Sequence, residues 1–155
     1  IHEETASYIR RGYSLSCFEK ACADLRTLQI PIIVHTILGL PGESDAQVLQ
    51  TMHYLNRISP FGIKLQLLHV LADTDLAEDY VAGKFEVLTL GAYLDLVISC
   101  LAHLSPEIVI HRVTGDGPKD LLIAPKWSLD KRGVLNALHH RMKKQGIRQG
   151  DLYQI

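Results

Sequence analysis

Between Ile30 and Leu38 the chain is apolar except for His35 and Thr36, and it runs directly into Leu40-Pro41-Gly42-Glu43 and then Ser44-Asp45-Ala46-Gln47. A run this short and this rich in β-branched residues reads as a strand, and one covered on both faces, as the strands of parallel sheets are. Proline sets φ at the second position of the turn and glycine accepts a positive φ at the third, which are the requirements of a type II turn. The Ser-x-x-Gln that follows has the form of a capping box, so a helix opens at once and runs to about Arg57. Strand, tight turn and capped helix make a βα unit, and the next strand returns beside the first by a right-handed crossover.

The rest of the chain repeats this alternation. Phe18, Ala21, Cys22, Leu25 and Leu28 recur at helical spacing behind the Ser-x-x-Glu of Ser16 to Glu19, which predicts a helix over 16–28. Pro60-Phe61-Gly62 breaks the chain before a second strand, Ile63 to Leu71. In it Lys64, Gln66, Leu68 and Val70 share one face, and Ile63, Leu65, Leu67, His69 and Leu71 share the other. Short helices follow over 75–82 and 90–103, then a third strand from Ile108 to Val113 that ends in Thr114-Gly115-Asp116-Gly117-Pro118. A last helix, about Asp130 to Gln145, carries Leu135, Leu138 and Met142 on one face. The order predicts an α/β fold with parallel strands and covering helices, the sheet either open or curved into a barrel.

Composition narrows the function classes. With 155 residues, 47% of them apolar, the chain can bury a domain-sized core. Sixteen Lys and Arg against seventeen Asp and Glu leave a net charge of -1, which argues against binding nucleic acid or acidic membrane by bulk charge. No apolar run is long enough to span a bilayer and the N-terminus has no signal-peptide pattern, so the cytoplasm is the expected compartment. The three cysteines, Cys17, Cys22 and Cys100, fall in predicted helices and read as reduced thiols. Cys17 and Cys22 point roughly 140° apart on a helix and cannot share a metal. The chain begins at Ile1 and opens like the inside of a domain, which suggests a piece of a longer protein.

Ligands of parallel α/β sheets gather at the carboxyl ends of the strands. Three such ends are readable here. Gly39 to Glu43 lets backbone approach a ligand, although a Gly-x-Pro-Gly is also a common plain turn. Leu68 to Thr74 contains Asp73 and Thr74, either of which can cap the next helix. His111 to Pro118 carries a cation, a hydroxyl and a carboxylate, and turn chemistry accounts for Asp116-Gly117-Pro118 but not for Arg112. Lys64 and Gln66 either line a concave interior or form the solvated face of an edge strand. His35, His69 and His111 each fall toward a strand end, which raises a three-histidine metal site, yet hydrogen-bonded structural histidines are commoner and no metal ligand is assigned.

Taken in order, Ile9-Arg10-Arg11-Gly12-Tyr13, a helix, His35 to Glu43, Gln66-Leu67-Leu68-His69-Val70-Leu71 and His111 to Pro118 resemble the later half of the YhcC-like radical S-adenosylmethionine (SAM) proteins. These are Fe-S oxidoreductases related to the catalytic subunit of Elongator. The resemblance implies the C-terminal part of a partial (β/α) barrel over 1–105 and a C-terminal extension over 106–155. It also implies a 4Fe-4S cluster that cleaves SAM to a 5′-deoxyadenosyl radical in the parent protein. Arg11 matches the position that pairs with the SAM carboxylate. Ile37 and Gly39, Leu40, Pro41, Gly42 and Glu43 match the strand and loop beside adenine and ribose, and Leu68, His69 and Val70 match the strand end whose backbone meets the adenine. His35, Lys64, Gln66, Arg112 and Asp116 become substrate-side residues, and no catalytic residue is assigned. Asp73 departs from the family pattern, which more often has glycine before Thr74.

The three-cysteine cluster loop is absent from this sequence and is expected upstream of Ile1. The isolated piece is therefore expected to bind neither cluster nor SAM tightly and to be inactive. Expected partners are SAM, an unidentified substrate for which tRNA is the candidate, and a second copy across the sheet edge that a cut barrel would leave, with no membrane. A second reading is a non-catalytic RNA-binding module that uses the basic His139-His140-Arg141-Met142-Lys143-Lys144.

Overall fold

The computed structural model describes residues 1–115 and 117–154. In chain order the elements are α1 (Glu3–Tyr8), α2 (Leu15–Thr27), β1 (Ile33–Leu38), α3 (Asp45–Ile58), β2 (Gly62–Leu67), β3 (Val70–Leu71), α4 (Asp75–Val81), α5 (Leu90–His103), β4 (Val109–Arg112), β5 (Leu122–Ala124), a 3-10 turn (Lys126–Leu129) and α6 (Lys131–Gln145). The main sheet has three parallel strands in the order β1-β2-β4, and β3 pairs antiparallel with β5. Among the described residues no helix is long and apolar enough to cross a membrane.

The first βα unit forms as its local chemistry dictates. Glu43 N–H donates to the Leu40 carbonyl at 3.1 Å and Gly42 has φ of 80°, so Leu40 to Glu43 is a turn with the positive φ at its third position. The Ser44 hydroxyl accepts from Gln47 N–H while the Gln47 side chain accepts from Ser44 N–H, a complete capping box at the head of α3. Thr74 caps α4 by accepting from Ala77 N–H. Asp73 takes φ of 60°, a conformation that glycine adopts freely and aspartate tolerates.

Helices cover one side of the sheet. Val34 and Leu38 of β1, Ile63, Leu65 and Leu67 of β2, Val48, Met52 and Leu55 of α3, Val97 and Leu101 of α5, and Val134 and Leu138 of α6 share one buried cluster. A second, smaller cluster joins Val70, Ala77 and Ala124.

Four local expectations need correction. β1 is not covered on both faces: Val34 and Leu38 are buried, but Ile33 and Ile37 are 39% and 41% exposed and His35 is also exposed, because the helices pack on one side. The second strand does not run to Leu71. Leu68 N–H closes the parallel ladder on the Leu38 carbonyl at 2.9 Å, and Val70 then belongs to the other cluster, so facing does not carry across the break. α2 opens two residues early, with Ser14 rather than Ser16 as its cap, accepting from Cys17 N–H. Finally, α1, β5 and the 3-10 turn were not expected, each being too short to establish a period.

Candidate functional site

The uncovered face of the sheet is built by register. His35 lies beside Lys64, and Ile37 beside Gln66, across the parallel β1–β2 ladder. Strand β4 starts in register, Gly62 with Val109 and Ile63 with Ile110, but Lys64 then pairs with Arg112, so His111 is an extra residue. Ile110 and Val113 pack on the helix-side core. His111 lies over Gly62, where a Cβ would stand 2.4 Å from its Cδ2, and near the Phe61 ring at 6.0 Å. Glycine is required there because any side chain would collide with the imidazole.

Imidazole, ammonium and guanidinium thus form one row across three strands. Partial burial, and then the positive charges of Lys64 and Arg112, hold the His35 imidazole below its ordinary value. The three groups share one electrostatic neighbourhood. Lys64 and Gln66 are half-buried and lie on β2, the middle strand of the sheet, so they do not form the face of an edge strand.

At the carboxyl ends of the strands the backbone loops converge. Gly39 has φ of 81°, and a Cβ there would lie 2.9 Å from Leu88 Cδ1, so both backbone and packing demand glycine. Around Gly42 nothing lies within 4 Å of where a Cβ would be, so its backbone is open to approach. The Leu68 N–H is already spent on Leu38, while Leu68 and Val70 are buried. The His69 ring is wedged against two glycines: Cβ atoms would stand 2.6 Å from its Cε1 at Gly115 and 2.9 Å from its Nδ1 at Gly117. Its Nε2 is buried without a hydrogen-bond partner among the described residues, and burial, followed by the charge of Lys131, lowers its proton affinity. Asp116, expected on the substrate side, lies outside the described residues.

Two contributors carry no sequence signal. Tyr93, 1% exposed, donates its hydroxyl to the Val113 carbonyl at 2.8 Å, with the Leu65 carbonyl at 3.4 Å, and so ties the ends of β2 and β4 together. In the sequence it is one more large side chain in an apolar helix. Trp127 Nε1–H donates to the Leu88 carbonyl at 3.0 Å and thereby steadies the residue packed on Gly39.

Arg11 reaches this region from the other side of β1. It lines a cavity of about 220 Å³ together with His35, Ile37, Leu40 and Glu43. Its guanidinium already donates to Glu3 at 3.0 Å and to the Tyr13 carbonyl at 2.8 Å, and it lies over the Tyr13 ring. Burial pushes the Glu43 carboxyl above its ordinary range against the pull of His2. Gln66, Leu68, His69, Val70 and Arg112 do not border this cavity. The structure therefore groups the expected residues into a cavity around β1 and a polar face around β2.

The thiols are dispersed. Cys17 is exposed on α2, while Cys22 and Cys100 are buried, and burial pushes the Cys100 thiol up to about 12. Among the described residues no three His, Cys, Asp or Glu side chains come together as a metal-ligand set. On α6, Arg132, His139, His140, Lys143 and Lys144 are exposed, whereas Arg141 donates to Asp95 at 2.5 Å and to the Gly91 carbonyl at 3.1 Å.

Residues 60–144 match the family model described as the Radical_SAM C-terminal domain. The chain is 36% identical over 154 residues to YtqA of Bacillus subtilis, covering 99% of this chain and 48% of that protein. It is 33% identical to MJ0486 of Methanocaldococcus jannaschii, covering 97% of this chain and 47% of that one, and 27% identical to Escherichia coli YhcC over 94% and 47%. It therefore spans about half the length of these relatives. In three dimensions it resembles the archaeal Methanocaldococcus infernus Elp3 with an N-terminal deletion, with a TM-score of 0.83 at 18% identity, over 96% of this chain and 35% of that one, a likeness of fold. With more than half of its residues inside the family model and a matching α/β fold, the chain belongs to the radical SAM C-terminal domain family.

Proposed function

We propose that this chain is the substrate-side half of a radical SAM enzyme and that it contributes one wall of the SAM site. The observation that carries the reading is the uncovered sheet face. Polar side chains at matched positions on adjacent strands lead directly to the loops at the strands' carboxyl ends. The donor set suits SAM: Arg11 has five N–H donors of which two are engaged within the chain, and the backbone at Gly42 is open. Ile37 and residues 39–43 would flank the nucleoside, and Leu68, His69 and Val70 would close the neighbouring strand end.

The cluster is a different matter. Three dispersed thiols, two of them buried, cannot act as a ligand set, so in this reading the cluster ligands belong to the remainder of the protein and this chain alone is inactive. SAM bound to such a cluster would supply the radical, while the residues here would bind, orient and exclude water. The test is anaerobic. Full-length protein given SAM and a reductant should release 5′-deoxyadenosine, whereas this chain, reconstituted alone with iron and sulfide, should gain no stoichiometric cluster absorbance. Failure of the first arm with a fully loaded cluster refutes the reading.

A second reading, RNA contact, is favoured by α6. Arg132, His139 and Lys143 recur at helical spacing on one exposed strip with Lys144 beside them. tRNA is the candidate ligand, and the two readings are compatible within one protein. A homodimer across β1 is also part of the proposal, because β1 ends the order β1-β2-β4 and a strand edge is a template for pairing. Light scattering of the isolated chain at high concentration should give the dimer mass, and a strictly monomeric species would count against it.

A further inference from the structure

We propose that the row His35, Lys64 and Arg112 is an anion-binding site that takes a carboxylate or phosphate group of the substrate. This rests on the enzyme reading above and specifies the chemistry of its substrate. The first argument is placement. Register puts His35, Lys64 and Arg112 side by side on three adjacent strands, and the extra residue His111 keeps Arg112 in line. The second is charge balance. Lys64 is half-buried and pairs with no acidic side chain among the described residues, with the Arg112 guanidinium on one neighbouring strand and the His35 imidazole, held toward its neutral form, on the other. A cation held partly out of water with no carboxylate of its own is stabilised when an anion joins it.

The third argument is donor geometry. A guanidinium offers a planar fork of five N–H groups, so Arg112 can keep a partner within the chain and still present donors to a two-oxygen group. Lys64 adds a point charge that can follow either a planar carboxylate or a tetrahedral phosphate. Gln66, two pairs further along β2 on the same face and beside Ile37, adds an amide that can hydrogen-bond a neighbouring polar atom. The exposed apolar groups of Ile33 and Ile37 flank the row, so the face fits a ligand with an anionic head and an apolar or planar body.

The experiment uses full-length protein with ¹⁵N-labelled histidine, without SAM or reductant, titrated separately with inorganic phosphate and with acetate. The His35 ring resonances should shift saturably and its titration midpoint should rise. Lys64→Met should weaken binding by about tenfold or more. Lys64→Arg should largely restore it, and Lys20→Gln on α2, where Lys20 is exposed and paired with Asp24, should leave it unchanged. Preference for phosphate assigns the site to a phosphate ester, and preference for acetate assigns it to a carboxylate; either result supports the proposal. No saturable shift, or a shift that persists unchanged in Lys64→Met, overturns it. Because no radical chemistry enters the readout, a negative result with 5′-deoxyadenosine still produced would sink the anion site alone.

Discussion

Gly39 and Gly42 sit three residues apart in the same loop with nearly the same backbone, φ of 81° and 80°, yet in opposite surroundings. Alanine at either position meets a left-handed conformation that costs about 1–2 kcal/mol. The stiffer unfolded chain offsets about 0.4–1 kcal/mol of that. Gly42→Ala, with nothing near its new methyl, should therefore destabilise by about 1 kcal/mol. Gly39→Ala must also push Leu88 Cδ1 away from 2.9 Å. Overpacking typically costs about 1–3 kcal/mol, and the low end applies because the crowded atom is the tip of a side chain that can swing aside. The total for Gly39→Ala is about 2 kcal/mol. In urea, with a slope of about 2 kcal/mol per molar, the midpoints should fall by about 0.5 M for Gly42→Ala and about 1 M for Gly39→Ala. The contact is isolated by repeating both substitutions on a Leu88→Ala background, where the difference should close. Equal midpoints in the native background, or a difference that survives removal of Leu88, would refute the account of why glycine stands at position 39.

Tyr93→Phe should cost about 1–2 kcal/mol by leaving the Val113 carbonyl without its donor, lowering Tm by about 2–4 °C for each kcal/mol in calorimetry; an unchanged Tm would mean that the hydroxyl is not holding β4. The His69 imidazole is held below its ordinary 6.5 by burial and then by Lys131, so its stabilising contribution is complete above pH 6.5 and is lost as pH falls through the folded-state value. The urea midpoint should therefore drop between pH 7 and 5, less steeply in His69→Gln, with His35 contributing in the same sense in both; identical slopes would exclude His69 as a source. Neutralising Arg132, Lys143 and Lys144 to Gln should reduce the log-log salt slope of tRNA binding by about 2–3, whereas Arg141→Gln should change it little because Arg141 is paired with Asp95. A slope untouched by the triple substitution would remove α6 from the interface.

What could be read from the sequence is what local chemistry decides. The Leu40 to Glu43 turn and the Ser44 box are each closed within four residues, so no distant part of the fold could override them. The start of α2 was less decidable, since Ser14 and Ser16 are both competent caps and their hydroxyls even share a hydrogen bond at 2.8 Å. Starting at Leu15 places Leu15 and Phe18 together against the core, which is tertiary information. Coverage of β1 was unreadable for the same reason. Ile33 and Ile37 have the hydrophobicity of buried residues, and what leaves them exposed is that the helices of the described residues pack against Val34 and Leu38 on the other face. For the site, alternation correctly put Lys64 and Gln66 on one face, but nothing in Val109 to Arg112 announces a bulge.

That bulge connects the core to the site. If β4 continued in its starting register, His111 would stand opposite Lys64 and Arg112 opposite Leu65, which is wholly buried among the helices. A guanidinium forced into that layer would face a desolvation penalty of several kcal/mol. One extra residue resolves the conflict in both directions. Arg112 moves onto the polar face with Lys64 and His35, and Val113 returns to the core, where its carbonyl receives the Tyr93 hydroxyl. The extra residue itself needs room, and Gly62 provides it by having no side chain where the His111 ring lies. Gly62, His111, Arg112 and Tyr93 thus form one dependent set, so a substitution at Gly62, on the far side of the sheet from Tyr93, should disturb the cation row through His111.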